Sequence, residues 1–291
     1  MQYHKPASFK DAVEIAVQAQ GLTRFLAGGT DVLVQLRADI ATPDTLVDIK
    51  GISGVRDIVR DADGGWRIGI AVTGAEMTEH PDLGADWPGV VEATDLIGST
   101  QIQGRCTMVG NLCNGSPAAD SVPAMVAAGM SVSVTGPDGT RTVAVEDVPT
   151  GPGKTSLAKG ELVSAAHIPA RGPNGGDAYL RFIPRTEMDI AVVGCAVNLQ
   201  LEGDVIVKAR VSLGAVAPTV LLVEDAASAL IGTTLDEGAL DALAAAARAA
   251  CNPIDDKRGT IKFRTHVAGV LAQRAAKIAY ERAQNAGKPT S

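Results

Sequence analysis

Aromatic residues are scarce in this chain: two tryptophans, three tyrosines and four phenylalanines in 291 residues. Proteins that stack nucleic-acid bases need such rings beside basic runs. Here 26 basic residues are outnumbered by 33 acidic ones, giving a net charge of −7. That balance argues against nucleic acid or an anionic membrane as a partner. No stretch of about twenty apolar residues is present to span a bilayer. The start, Met1-Gln-Tyr-His-Lys-Pro-Ala7, has no apolar signal-peptide segment, so a cytoplasmic location is expected. The four cysteines (Cys106, Cys113, Cys195, Cys251) are scattered, with no Cys-x-x-Cys pair. Metal and iron–sulfur sites need clustered thiolates, so none is expected in this chain. Also missing is a Gly-x-Gly-x-x-Gly run after the first strand, the fingerprint of the dinucleotide fold.

What remains is a globular composition, 46% hydrophobic and 20% charged, long enough for one large or two ordinary domains. The chain is organised around Phe25-Leu-Ala-Gly-Gly-Thr-Asp-Val-Leu-Val34. This reads as a strand, Arg24 to Ala27, that breaks at Gly28-Gly29 and restarts as a helix near Asp31. Paired glycines allow positive φ and clear side chains from a ligand's path. Successive amides at the helix start then favour an anion, with a diphosphate as the natural guest. A plain strand-to-helix turn is the alternative.

Around this stretch the pattern alternates. A capping box at Ser8-Phe-Lys-Asp11 opens a helix that Gly21 stops. Strands are expected at Thr45–Asp48, Val55–Val59 and Trp66–Ile70, short helices from Gly74 to Pro81 and from Pro88 to Ile97, and a hairpin around Pro137-Asp-Gly139. Thr107 to Ser121 reads as a second small polar loop leading into an apolar helix from Val122. Thr150-Gly-Pro-Gly-Lys-Thr-Ser156 lacks the spacing of a phosphate loop and reads as an exposed flexible loop. Leu162–Ile168 closes this region as a strand, and Arg171–Gly176, with four Gly or Pro in six residues, is the linker. Strands over Ile190–Leu201 and Val205–Leu213 follow, then helices over Val223–Leu230, Glu237–Ala250 and Thr260 to about Gln284. Strands followed by helices describe a separate α+β domain.

Ala27-Gly-Gly-Thr-Asp31 and Asn111-Leu-Cys-Asn-Gly-Ser-Pro-Ala-Ala-Asp120 resemble the FAD-binding medium subunit of molybdenum hydroxylases, the carbon monoxide and xanthine dehydrogenase group. So do Tyr179–Val193, Leu213–Thr219 and Pro253–Gly259, which extends the resemblance over nearly the whole chain. It implies an α+β fold: a two-part FAD-binding domain of the vanillyl-alcohol oxidase and p-cresol methylhydroxylase type over residues 1–172, with subdomains of about 1–50 and 51–172. A carbon monoxide dehydrogenase flavoprotein-type α+β domain would follow over 177–287.

The resemblance further implies that Ala27, Gly28, Gly29, Thr30, Asp31 and Val32 hold the FAD diphosphate, with Thr107, Gly110 and Asn111 opposite, Leu162 also in contact and Thr150 or Ser156 at an entrance to the flavin. Asp120 would bond the ribose or ring edge, or cap the next helix. Tyr179, with Phe182 nearby, would cover the isoalloxazine or belong to the core. Arg181 and Arg185 would bring positive charge to the flavin or serve as surface cations, and Asp255–Arg258 would open the last helix. Where the family has Thr-x-Gly-Gly-Asn, this chain has Val109, a residue ill suited to positive φ: either it is extended and offers only its N–H, or the flavin sits differently there. No histidine lies in either loop, so FAD is expected to be non-covalent.

The implied role is electron transfer in an oxidoreductase. A small subunit with two [2Fe–2S] clusters would deliver electrons to FAD, a large molybdopterin subunit would act on the substrate, and an external acceptor would take the electrons. The assembly would be a heterohexamer. A stand-alone NAD(P)H-dependent flavin reductase and a flavin-free assembly subunit are the competing readings.

Overall fold

A computed structural model describes residues 1–185 and 188–286. Thr186 and Glu187, within the segment quoted above, and Gly287, the expected end of the second domain, lie outside the described residues.

The first layer is a small parallel sheet of β1 (Gln2–His4), β2 (Thr23–Leu26) and β3 (Thr45–Asp48), in the order β1-β3-β2. Helix α1 (Phe9–Gln18) links β1 to β2, and α2 (Val32–Arg37) links β2 to β3. Ser8 caps α1 by accepting the Asp11 amide, and Ala12, Val13 and Ala16 form its buried stripe.

The second layer is a five-stranded sheet. Its strands are β4 (Ile58–Arg60), β5 (Trp66–Gly69), β6 (Ser131–Gly136), β7 (Gly139–Ala144) and β10 (Leu162–Ile168), ordered β4-β5-β10-β6-β7. Between β5 and β6 run α3 (Gly74–Glu79), α4 (Leu83–Asp86), α5 (Pro88–Asp95), α6 (Met108–Cys113) and α7 (Ser121–Ala127). Trp66, Ile68, Met77, Leu112, Met125 and Val132 meet in one core between these helices and the sheet. Removing that apolar surface from water is the main stabilising term here.

The third layer is β11 (Gly175–Phe182), β12 (Val193–Glu202), β13 (Val205–Gly214) and β14 (Leu221–Leu222), followed by α8 (Glu224–Ser228), α9 (Glu237–Ala249) and α10 (Ile261–Asn285). Strand alternation splits its residues between two cores. Ala178, Cys195 and Val197 face a core shared with α10, whereas Tyr179 and Ala196 join the core of the first unit. Helix α10 brings an alanine stripe to the sheet, including Ala268, Ala272, Ala276, Ala279 and Ala283. A Cβ on Gly176 would collide with the Ala279 carbonyl, so glycine lets the helix backbone lie directly on β11.

Four expectations change. Residues 108–113 of the expected second loop are helical, because Thr107 caps them. Residues 150–156 are not a flexible loop but a hairpin of β8 (Pro149–Gly151) and β9 (Lys154–Thr155). Strand β4 starts three residues late, because Val55 turns its carbonyl to Ala71 N at 2.7 Å. Strand β11, unread in sequence, begins within the expected linker.

Candidate functional site

A cleft of about 660 Å³ opens between the first two layers, a size ordinary for a cofactor site. Its near wall is the turn from β2 into α2. Gly29 has φ +81°, a conformation that costs glycine nothing. Gly28 answers a different constraint, since a Cβ there would overlap the Arg105 carbonyl oxygen. The missing side chain thus lets the two walls press together. Leu33 N donates to Gly29 O (3.1 Å) and Gln35 N to Asp31 O (2.8 Å), starting α2. Among the described residues, the amides of Thr30 and Asp31 donate to no backbone oxygen. Because α2 has only six residues, these local N–H groups outweigh any macrodipole in attracting an anion.

The far wall is α6. Thr107 Oγ1 accepts the Gly110 amide at 3.0 Å, and a Cβ on Gly110 would stand 2.6 Å from that hydroxyl. The cap therefore needs a small residue at its third position. Asn111 Oδ1 accepts from Ser121 N (3.1 Å) and Ser121 Oγ (2.8 Å), tying α6 to the start of α7. Val109 lies inside α6 and is buried, so it is helical rather than extended and needs no positive φ. Burial pushes the thiols of Cys106 and Cys113 up to about 11 and about 12, so neither is a ready nucleophile.

Ala27 to Val32, Thr107, Gly110, Asn111 and Leu162 all line this one cleft. Asp120, Tyr179 and Phe182 do not border it. Asp120 is buried at the N-cap position of α7 but its side chain makes no cap bond. Its Oδ2 instead receives Arg181 Nη1 at 2.8 Å, and Tyr179 donates its hydroxyl to Oδ1 at 3.4 Å. Burial drives the Asp120 carboxyl up to about 6, with Arg181 holding it back. Gly194 makes room for the Tyr179 ring, whose hydroxyl would lie 2.7 Å from an added Cβ. Phe182, half-exposed, meets Phe263 edge-on at 5.5 Å. Arg181 is thus buried in this network, while Arg185 pairs with Asp189 at the surface. Thr260, not Asp255, caps α10, and Asp256 pairs with the buried Arg264 at 2.7 Å.

Of the third wall, the sequence pointed only to Leu162 and to the loop around Thr150–Ser156. Gly153 and Thr155 of the hairpin, with Leu157 to Val163, complete the cleft, whereas Thr150 and Ser156 do not reach it. Gly115, at φ +62°, accepts Gly153 N at 2.9 Å and so fastens the hairpin to the end of α6. The glycines at 151, 153 and 160 were the available signal.

Residues 1–171 match the family described as the FAD binding domain in molybdopterin dehydrogenase, and residues 178–279 match the CO dehydrogenase flavoprotein C-terminal domain. The carbon monoxide dehydrogenase medium chain of Afipia carboxidovorans is 36% identical across 97% of this chain and 98% of its own length. A putative xanthine dehydrogenase FAD-binding subunit of Escherichia coli is 30% identical, covering 94% and 93%. Among solved structures, a chain of the Cu,Mo-CO dehydrogenase in its cyanide-inactivated form superposes with a TM-score of 0.92 at 35% identity, over 97% of this chain and 98% of that one. The carbon monoxide dehydrogenase of Hydrogenophaga pseudoflava that lacks its Mo-pyranopterin moiety gives 0.93 at 32%, with the same coverage. The family expected from the two glycine-bearing motifs is therefore the one found: this chain belongs to the FAD-binding medium subunits of the molybdenum hydroxylases, flavoproteins of the carbon monoxide and xanthine dehydrogenase type.

Proposed function

We propose that this chain binds FAD non-covalently in the cleft and is the electron outlet of a three-subunit molybdenum hydroxylase. The observation that carries this reading is the pair of facing walls: unpaired Thr30 and Asp31 amides behind Gly28 and Gly29, opposite the Thr107-capped turn that carries Gly110 and Asn111. Such amides suit diphosphate oxygens. The apolar side chains of Ile49, Ile70, Ile97, Val109 and Leu162 suit the flat, weakly polar remainder of the cofactor. Among the described cleft-lining residues there is no histidine or tyrosine to attach it covalently.

When bound, FAD takes up electrons one or two at a time and gives them to an external acceptor; the protein sets its position and surroundings. Ala27 to Val32 grip and orient it, Thr107 fixes the opposing backbone, and Asn111 carries that wall onto α7, where Asp120 and Tyr179 stand behind it. At the cleft, Glu161 is held by Arg141 and the Ala158 amide, and Lys159 by the Ala19 carbonyl, which favours a relay over substrate chemistry in this chain. The small [2Fe–2S] and large molybdopterin subunits are the proposed partners, and the cytoplasm the proposed location. Among the described residues, no helix is long and apolar enough to cross a membrane.

The test is a complex assembled with a Gly28→Ala chain that has lost FAD. Substrate or a chemical reductant should still reduce the iron–sulfur clusters, while reduction of an external acceptor dye falls at least tenfold. Full dye reduction by the flavin-free complex would refute the relay.

A further inference from the structure

Gln103 is buried, 6% exposed, in the segment that leads into the far wall of the cleft. It does not border the cleft itself, but Ile97 and Cys106, on either side of it in the chain, do. Both ends of its carboxamide are engaged. Nε2 donates to Asp95 O and to Ile97 O, each at 2.8 Å, with Thr94 O further off at 3.4 Å. Oε1 accepts the Cys106 thiol at 3.4 Å. Reversing the amide would set its oxygen against three carbonyls, so the neighbours fix this orientation.

Those carbonyls belong to the end of α5, where a helix leaves its last C=O groups without an intrahelical amide. Gln103 takes Asp95 O and Ile97 O, and Arg181 takes the one between them, Leu96 O, at 2.9 Å. The turn that carries Ile97 into the cleft is thus held by side chains from two other segments. Backbone bonds fix the base of Gln103: its carbonyl accepts Ala75 N, and the Cys106 carbonyl accepts Gly74 N, both at 3.0 Å. A Cβ on Gly74 would lie 1.9 Å from Gln103 Oε1, so glycine at the start of α3 leaves the carboxamide its place.

We propose that Gln103 is a positioning residue for the flavin, a role that rests on the FAD reading above. By joining the end of α5 to Cys106, it sets where Ile97 and Cys106 stand in the cleft wall, and so how closely that wall meets the cofactor. Without the carboxamide, the Asp95 and Ile97 carbonyls lose a buried donor, and the turn must shift to find another. Ile97 moves with it, since its own carbonyl is one of the two.

The experiment is fluorescence titration with FAD of the full chain, stripped of cofactor, in wild type and in Gln103→Met, which keeps the side chain's length and removes the amide. Urea midpoints are measured alongside. Binding should weaken about tenfold or more in Gln103→Met, and the visible absorption bands of the flavin that does bind should shift. Arg264→Met, destabilised at a residue that does not border the cleft, should keep wild-type affinity and bands. A merely structural Gln103 would lower the midpoint and leave the folded chain's affinity and bands unchanged, and that result overturns the proposal. Should Gln103→Met fail to fold, Gly74→Ala decides by the same two readouts, because it keeps the carboxamide and pushes it aside. A wild-type chain that binds no FAD would refute the FAD reading and this role with it. Wild-type binding matched by the variants would refute the role of Gln103 alone.

Discussion

Asp120 and Arg181, 61 positions apart, form a 2.8 Å ion pair that joins the start of α7 to the first strand of the C-terminal sheet. Arg181 also donates to Leu96 O at 2.9 Å, so one guanidinium ties together three segments. Both side chains are nearly dry, and removing one member of such a pair costs about 3–5 kcal/mol.

The pair also sets a pH dependence. Asp120, pushed up to about 6 by burial, takes its proton in the folded chain before the unfolded chain does. Between about pH 6 and pH 4 the folded state therefore holds more protons, and this group adds stability as pH falls. Above about pH 6 that contribution is absent. Urea unfolding should show wild type gaining on Asp120→Asn by on the order of 2–3 kcal/mol between pH 7 and pH 4. A gap that stays constant or reverses would refute this assignment.

Gly28→Ala should damage the cleft by driving the Arg105 carbonyl aside. The expected result is a chain that folds with a lower Tm and retains little FAD. Gly104→Ala is the control, because an added Cβ there meets nothing within 4 Å. Measured FAD content should separate the two variants, and equal flavin loading would show that the glycine does not shape the site.

Thr107→Val keeps the shape of the side chain but removes the hydroxyl that accepts Gly110 N. Loss of such a cap costs about 1 kcal/mol of stability. FAD affinity should fall further than that loss implies, since Gly110 and Asn111 lose their support. Fluorescence titration of the apo chain with FAD measures this directly.

Arg264, 3% exposed, donates to Val192 O at 2.8 Å and to Asp256 at 2.7 Å, pinning α10 beneath the loop that follows β11. Arg264→Met should cost about 3 kcal/mol or more by leaving Asp256 and the carbonyls without their donor. A urea midpoint close to wild type would contradict this role.

Much of the fold could be read in the local sequence. β10 was expected at the limits observed, Leu162–Ile168, because its apolar run is bounded by clear turns. Ser8 marked the start of α1 through capping chemistry that a few neighbouring residues determine, although the helix ends at Gln18, before Gly21. What stayed hidden depends on distant partners. Strand β11 opens with two glycines, and only the close approach of α10 explains Gly176. Helix α6 was obscured by Gly110 and Asn111, which elsewhere favour loops, until the Thr107 cap accounted for both. Tyr179 and Arg181 find Asp120 across 59 and 61 positions, a relation that no local pattern records.

A nucleotide diphosphate lying against the Gly28–Val32 backbone is the contact on which the proposed electron transfer depends. The most direct measurement is the FAD released on denaturing the complex purified with ample cofactor. The expected result is one FAD per copy of this chain, lost in Gly28→Ala and kept in Gly104→Ala. A colourless wild-type chain that folds and assembles normally would contradict it.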